Sequence, residues 1–149
     1  MRIFVDADAC PKAIKEILYK AAIRTNTQLI LVANQYLMTP ISPLIKVIKV
    51  DKGFDVADVR IVAEIDKGDL VITADIPLAD FVTIKGGVAI NPRGKLYTPD
   101  NIKEQLATRN LMSELRDNQM IHGGPPALNK LNIQTFAGTL DRLLTNKNK

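Results

Sequence analysis

The sequence predicts an α/β fold built on a largely parallel sheet, and three observations carry that expectation. Short apolar runs alternate with longer stretches of helical periodicity, the pattern of strands joined by crossover helices. One run, Leu29-Ile30-Leu31-Val32-Ala33, is continuously apolar, as a strand covered on both faces must be. Gly and Pro fall between the runs, as in Lys67-Gly68-Asp69 and Gly86-Gly87, where they end one element and start the next.

Taken in order, the first strand is Arg2–Asp6. A helix follows from about Pro11 to Arg24, with Pro11 suited to its first turn and Ile14, Ile17, Leu18 and Ala21 forming its buried stripe. The second strand is Gln28–Ala33. Pro40 and Pro43 then break the chain into a loop before the third strand, Ile45–Val50. A helix is expected from about Asp55 to Asp66, a fourth strand at Leu70–Thr73, a short helix at Leu78–Val82 and a fifth strand at Val88–Ile90. The expected strand order is 3-2-1-4-5. It sets the first strand beside the fourth at the switch point, where open α/β sheets bind ligands beyond their strand C-termini. The last third reads as helical, at about Pro99–Arg116 and Ile133–Leu144, around the loop Ile121-His122-Gly123-Gly124-Pro125-Pro126. The whole, 1–149, is expected to be a single domain: a core of about 1–97 and a basic helical C-terminal appendage of about 98–146.

An apolar fraction of 46% and a charged fraction of 24% are ordinary for a soluble globular protein. No run approaches the roughly 18 apolar residues of a membrane span, and the N-terminus has no signal-peptide pattern. The one cysteine, Cys10, excludes an intramolecular disulfide. A cytoplasmic protein without membrane contact is expected, with room for a homo-oligomer. The net charge of +4 is uneven: residues 1–84 hold 10 Lys/Arg against 11 Asp/Glu, and residues 85–149 hold 10 against 5. An acidic half joined to a basic half suits a polyanionic substrate. With 5% aromatic residues and no Trp, a single-strand stacking platform is not expected.

The informative residues are acids. Asp6 and Asp8 close the first strand, Asp55 and Asp58 open the middle helix, and Asp75 and Asp80 follow the fourth strand. Helix capping offers a plain explanation for Asp8, Asp55, Asp58 and Asp75 taken singly. It explains Asp6 poorly, and it does not explain why two adjacent strands both lead into Asp. Converging carboxylates repel one another and raise their pKa values, a penalty that a bound cation removes. Hard cations take such oxygen ligands and link them to phosphate. Cys10 precedes Pro11 at a helix start, where packing is the better reading than a reactive thiol. No P-loop, dinucleotide fingerprint or zinc-ligand set is present.

Four stretches stand out: Asp6-Ala7-Asp8-Ala9-Cys10-Pro11, the run from Gly68 to Ala79, Asn91-Pro92-Arg93-Gly94 and Gly123-Gly124-Pro125-Pro126. Together they resemble the YaiI/YqxD family of bacterial proteins, which is grouped with the PIN-like nuclease superfamily. The resemblance implies a Rossmann-like three-layer sandwich and an acidic cluster that binds Mg²⁺ or Mn²⁺. Asp6 matches the acid closing the first strand, Asp55 or Asp58 that on the middle helix, and Asp75 that after the fourth strand. One branch of the superfamily has a second Asp two positions after the last; Pro77 stands there, and the next acid is Asp80.

The expected function is metal-dependent hydrolysis of phosphodiester bonds in nucleic acid, RNA in preference to DNA. Asp6, Asp58 and Asp75 are the expected catalytic acids, with Asp8, Asp55 and Asp80 completing the ligand set. Arg93, Lys95, Arg109 and Arg116 are candidate phosphate contacts, which position a nucleic acid without reading its sequence. Two other functions compete. One is an inactive metal- or RNA-binding module. The other is a haloacid-dehalogenase-like phosphatase with Asp6 as nucleophile, for which Ala33-Asn34 lacks the Ser/Thr expected after the second strand.

Overall fold

A computed structural model of the chain describes residues 1–53, 55–107 and 128–146. Its sheet has the order β3-β2-β1-β4-β5-β6, with β1 Ile3–Asp6, β2 Leu29–Ala33, β3 Ile45–Lys49, β4 Leu70–Ile72, β5 Val88–Ile90 and β6 Leu96–Tyr97. The first five strands are parallel in the expected order. The sheet nevertheless has six strands, not five: β6 pairs antiparallel with β5. A strand of two residues shows no period in sequence. It exists because the turn before it is pre-set, with Asn91 Oδ1 accepting the N–H groups of Arg93 (2.9 Å) and Lys95 (3.0 Å).

Five α-helices surround the sheet among the described residues: α1 Lys12–Thr25, α2 Val56–Glu64, α3 Ile76–Ile84, α4 at 99–107, and α5 Lys130–Asn146. Alternate residues of one strand serve opposite faces. Ile3 and Val5 of β1 join a cluster with Ile14 and Leu18 of α1, while Phe4 between them joins a cluster with Ile61 of α2 and Leu78 of α3. Helices therefore cover both faces, as the apolar run of β2 required.

The α3 helix is longer than the expected Leu78–Val82, because Asp75 caps it and Ile76-Pro77 forms its first turn. The α4 and α5 helices each start on a reciprocal pair. Thr98 and Asn101 exchange backbone-to-side-chain bonds, and so do Asn129 and Asn132.

The C-terminal helix, expected as an appendage, is part of the core. Phe136, Leu140 and Leu144 recur at intervals of four and are buried in the cluster that holds Ile3 and Val5. The turn before β6 rests directly on this helix. Thr139 Oγ1 donates to the Gly94 carbonyl at 2.9 Å, and a Cβ on Gly94, which has φ +92°, would stand 2.7 Å from the Phe136 nitrogen.

Candidate metal centre

The site grows from the pairing of β1 with β4. Their register sets Val5 opposite Ile72, so the next residues, Asp6 and Thr73, emerge together at the C-terminal edge. Buried Thr73 links two acids through one hydroxyl. Its Oγ1 donates to Asp6 Oδ2 at 3.3 Å and accepts the Asp75 N–H at 3.0 Å. Asp75 in turn caps α3, accepting the Leu78 N–H on Oδ1 at 3.0 Å. The cap uses one oxygen, so capping and a role in an acidic group are compatible for this residue.

The α2 helix supplies the rest. Asp55 sits at its N-cap position with φ +63°, a conformation that Asp tolerates better than most residues, yet its side chain makes no capping bond. Capping therefore does not account for it. Asp55, Asp58 and Asp75 each offer a carboxylate oxygen, and these oxygens lie within 4.8 Å of one another.

The charges respond to this crowding. Burial, followed by the charges of Asp75 and Asp6, a hydrogen bond shared with Asp75 and the charge of Asp55, pushes the Asp58 carboxyl up to about 7. Asp6 is also raised, by burial and then, against the opposing Thr73 hydrogen bond, by Asp75 and Asp8. Among the described residues no Lys or Arg forms an ion pair with Asp6, Asp55, Asp58 or Asp75. Oxygen donors that crowd together without a cationic side chain fit a hard divalent ion, which would replace repulsion by attraction.

A scan of family models matches residues 4–146 to the one described as "Uncharacterized BCR, YaiI/YqxD family". The chain belongs to this family. A UPF0178 protein of Maridesulfovibrio salexigens is 58% identical over 145 residues, covering 97% of this chain and 96% of that one. UPF0178 proteins of Colwellia psychrerythraea and Shewanella amazonensis are each 54% identical, over 97% of this chain and 96% and 97% of theirs. No solved structure matches. Among the described residues no helix is long and apolar enough to cross a membrane.

The other candidate residues of this YaiI/YqxD chain lie around the centre rather than in it. Asp8 is exposed and turned to the connection after β2, accepting the Asn34 N–H at 2.7 Å and Gln35 Nε2 at 3.3 Å. Asp80, half-buried on α3, joins no acidic group among the described residues. Arg93 Nη1 donates to Asn132 Oδ1 at 2.8 Å. Its residue also lines a cleft of about 210 Å³ with Ala9, Pro11 and Ala74, at the same sheet edge as the acids. Lys95 is exposed. Arg109, Arg116 and the loop 121–126 lie outside the described residues. Cys10 is buried, and burial, only partly opposed by Lys15, pushes its thiol up to about 12, which suits packing and not reactivity.

Sequence reasoning missed two parts of the site. Thr73 followed an apolar run and read as the end of a strand. A cleft of about 620 Å³ between α2 and α3, lined by Val59, Val62, Pro77, Leu78 and Phe81 together with the three acids, was also missed. The spacing of Val59, Val62 and Ala63 is that of any buried helical stripe, so periodicity alone could not show that it faces a cavity.

Proposed function

We propose that the chain is a PIN-like, metal-dependent nuclease that hydrolyses phosphodiester bonds, in RNA in preference to DNA. One observation carries the reading: Asp55, Asp58 and Asp75 come within 4.8 Å at a sheet edge with no cationic partner among the described residues. Asp6 stands beside them, held by Thr73. Bound there, Mg²⁺ or Mn²⁺ would neutralise the scissile phosphate and acidify the attacking water.

The chain's own groups do the positioning. Thr73 fixes the orientation of Asp6, and the bond to Leu78 fixes Asp75. Asp58, pushed up to about 7, must be ionised to serve as a ligand, so ion affinity should rise through neutral pH. Arg93, which lines a cleft with Ala74 while donating to Asn132, is the candidate contact for a neighbouring phosphate.

The test is cleavage of an RNA polymer at low salt. Activity should require Mn²⁺ or Mg²⁺, and Asp6→Asn, Asp58→Asn and Asp75→Asn should each lower it by roughly a thousandfold, about 4 kcal/mol in the barrier. Salt-sensitive binding without turnover would favour the inactive module. Release of phosphate from small monoesters, with trapping at Asp6, would favour the phosphatase. Neither binding nor cleavage of RNA or DNA with Mn²⁺ would end the proposal.

A further inference from the structure

We infer that the cleft between α2 and α3 receives one unpaired nucleobase of the substrate whose phosphate meets the acids; the inference rests on the nuclease reading above. The acids mark one end of this cleft. Asp55 and Asp58 open α2 and Asp75 caps α3, while the apolar lining follows both helices away from them: Val59 and Val62 on one side, Pro77 and Phe81 on the other. The volume of about 620 Å³ suits a small ligand group and not a folded partner.

The lining decides what enters. It contains no Lys or Arg among the described residues, so nothing along the apolar walls would hold a phosphate. The group beside the phosphate must be uncharged and tolerate one-sided contact with a flat ring. Phe81 is 55% exposed and Val59 67% exposed, a cost in water that a bound planar group would relieve. In a nucleic acid the group joined through one sugar to the phosphate is the base, and aromatic rings hold bases whatever their identity. Paired bases are stacked inside a duplex, so the substrate segment would be single-stranded.

The experiment compares uridine 5′-monophosphate and adenosine 5′-monophosphate with ribose 5-phosphate, which has no base, binding to the full chain in Mn²⁺. The nucleotides should bind roughly tenfold tighter, the scale of one base–aromatic stack. Phe81→Ala should remove that preference, and Phe81→Tyr, which keeps the ring, should restore it. Equal binding of the three compounds, or a preference that survives Phe81→Ala, would overturn the base site while leaving the phosphate reading in place. If none of the three bound, with or without Mn²⁺, the phosphate reading would fail and the base site with it.

Discussion

The two ends of the β1–β4 pair treat their acids in opposite ways. At the N-terminal end Asp69 is only 4% exposed, yet it is fully answered. Arg2 donates from its backbone (3.0 Å) and its guanidinium (2.8 Å), and the Asp66 N–H adds a third bond at 2.8 Å. Burial alone would raise this carboxyl, but these hydrogen bonds and the Arg2 charge hold it below the usual range. At the C-terminal end Asp6, and beside it Asp58 of α2, are raised instead: burial pushes both up, and neighbouring acids add to it where Arg2 counters it for Asp69. Burial acts on all three acids in the same direction; their partners set them apart. The same two strands thus carry a finished ion pair at one end and, at the other, acids that have no cationic partner among the described residues.

The largest effect should come from breaking the finished end. Asp69→Ala leaves the Arg2 guanidinium with Asp66 and the Glu64 carbonyl, and strips an acceptor from two backbone N–H groups. The expected loss is about 3 kcal/mol, the low end for breaking a buried pair because Arg2 keeps other partners. Asp58→Asn should act in the opposite direction in metal-free protein, adding about 1 kcal/mol, a modest figure because the site is open to solvent. Urea denaturation of both variants measures the contrast. Two losses of similar size would show that the unpaired acids are as structural as Asp69.

Next in size is the response to metal. Mn²⁺ at a hundredfold excess over Kd should stabilise the wild-type chain by about 2.7 kcal/mol, since only the folded state gathers the acids. Asp75→Asn should abolish the shift in melting temperature, and Asp69→Asn should leave it intact. A full shift in Asp75→Asn would remove that residue from the ligand set.

The contrast also explains what was legible in the sequence. Strand order followed from alternating patterns, and Asp6 and Asp75 were expected at one edge because both follow apolar strands. What could not be read was which acids meet most closely. The compact group contains Asp55, exposed and at positive φ, while Asp6 stands beside it on Thr73. A left-handed residue redirects the chain without leaving any period, and a hydroxyl that bridges two acids looks in sequence like any strand end. The C-terminal helix read as an appendage because the basic surplus of residues 85–149 suggests a solvated surface, whereas Phe136, Leu140 and Leu144 form the stripe that seats the helix in the core.

A smaller effect should appear in the pH dependence of metal-free stability, with opposite signs at the two ends. Asp58 and Asp6 have folded pKa values above their unfolded ones. Between about 4 and 7 the folded state therefore binds more protons, and stability falls as pH rises through that window. Asp69 is lowered, so its contribution is full above the unfolded value near 4 and is lost as pH falls further. Thermal melts from pH 3 to 8 should thus show a maximum in the mildly acidic range. Asp58→Asn should flatten the descending limb and leave the acid limb unchanged. An unaltered descending limb would place the titrating group elsewhere.

The smallest effect sharpens the comparison within α2 itself. Arg60 Nε donates to Glu64 Oε1 at 2.9 Å, one turn along the helix that carries Asp58. Both side chains are partly exposed to water, and the cation lies N-terminal to the acid, the less favourable orientation against the helix dipole. Glu64→Gln should therefore cost about 0.3 kcal/mol, and salt should erase most of the difference. The same helix then holds an acid whose neutralisation slightly weakens the fold and another, Asp58, whose neutralisation strengthens it. Removing Arg60 tests whether that difference is local: Arg60→Gln should match Glu64→Gln and leave the Asp58→Asn gain unchanged. If Arg60→Gln enlarged the gain, the guanidinium would be relieving repulsion at the acids, and their isolation from cations would be less complete than the geometry indicates.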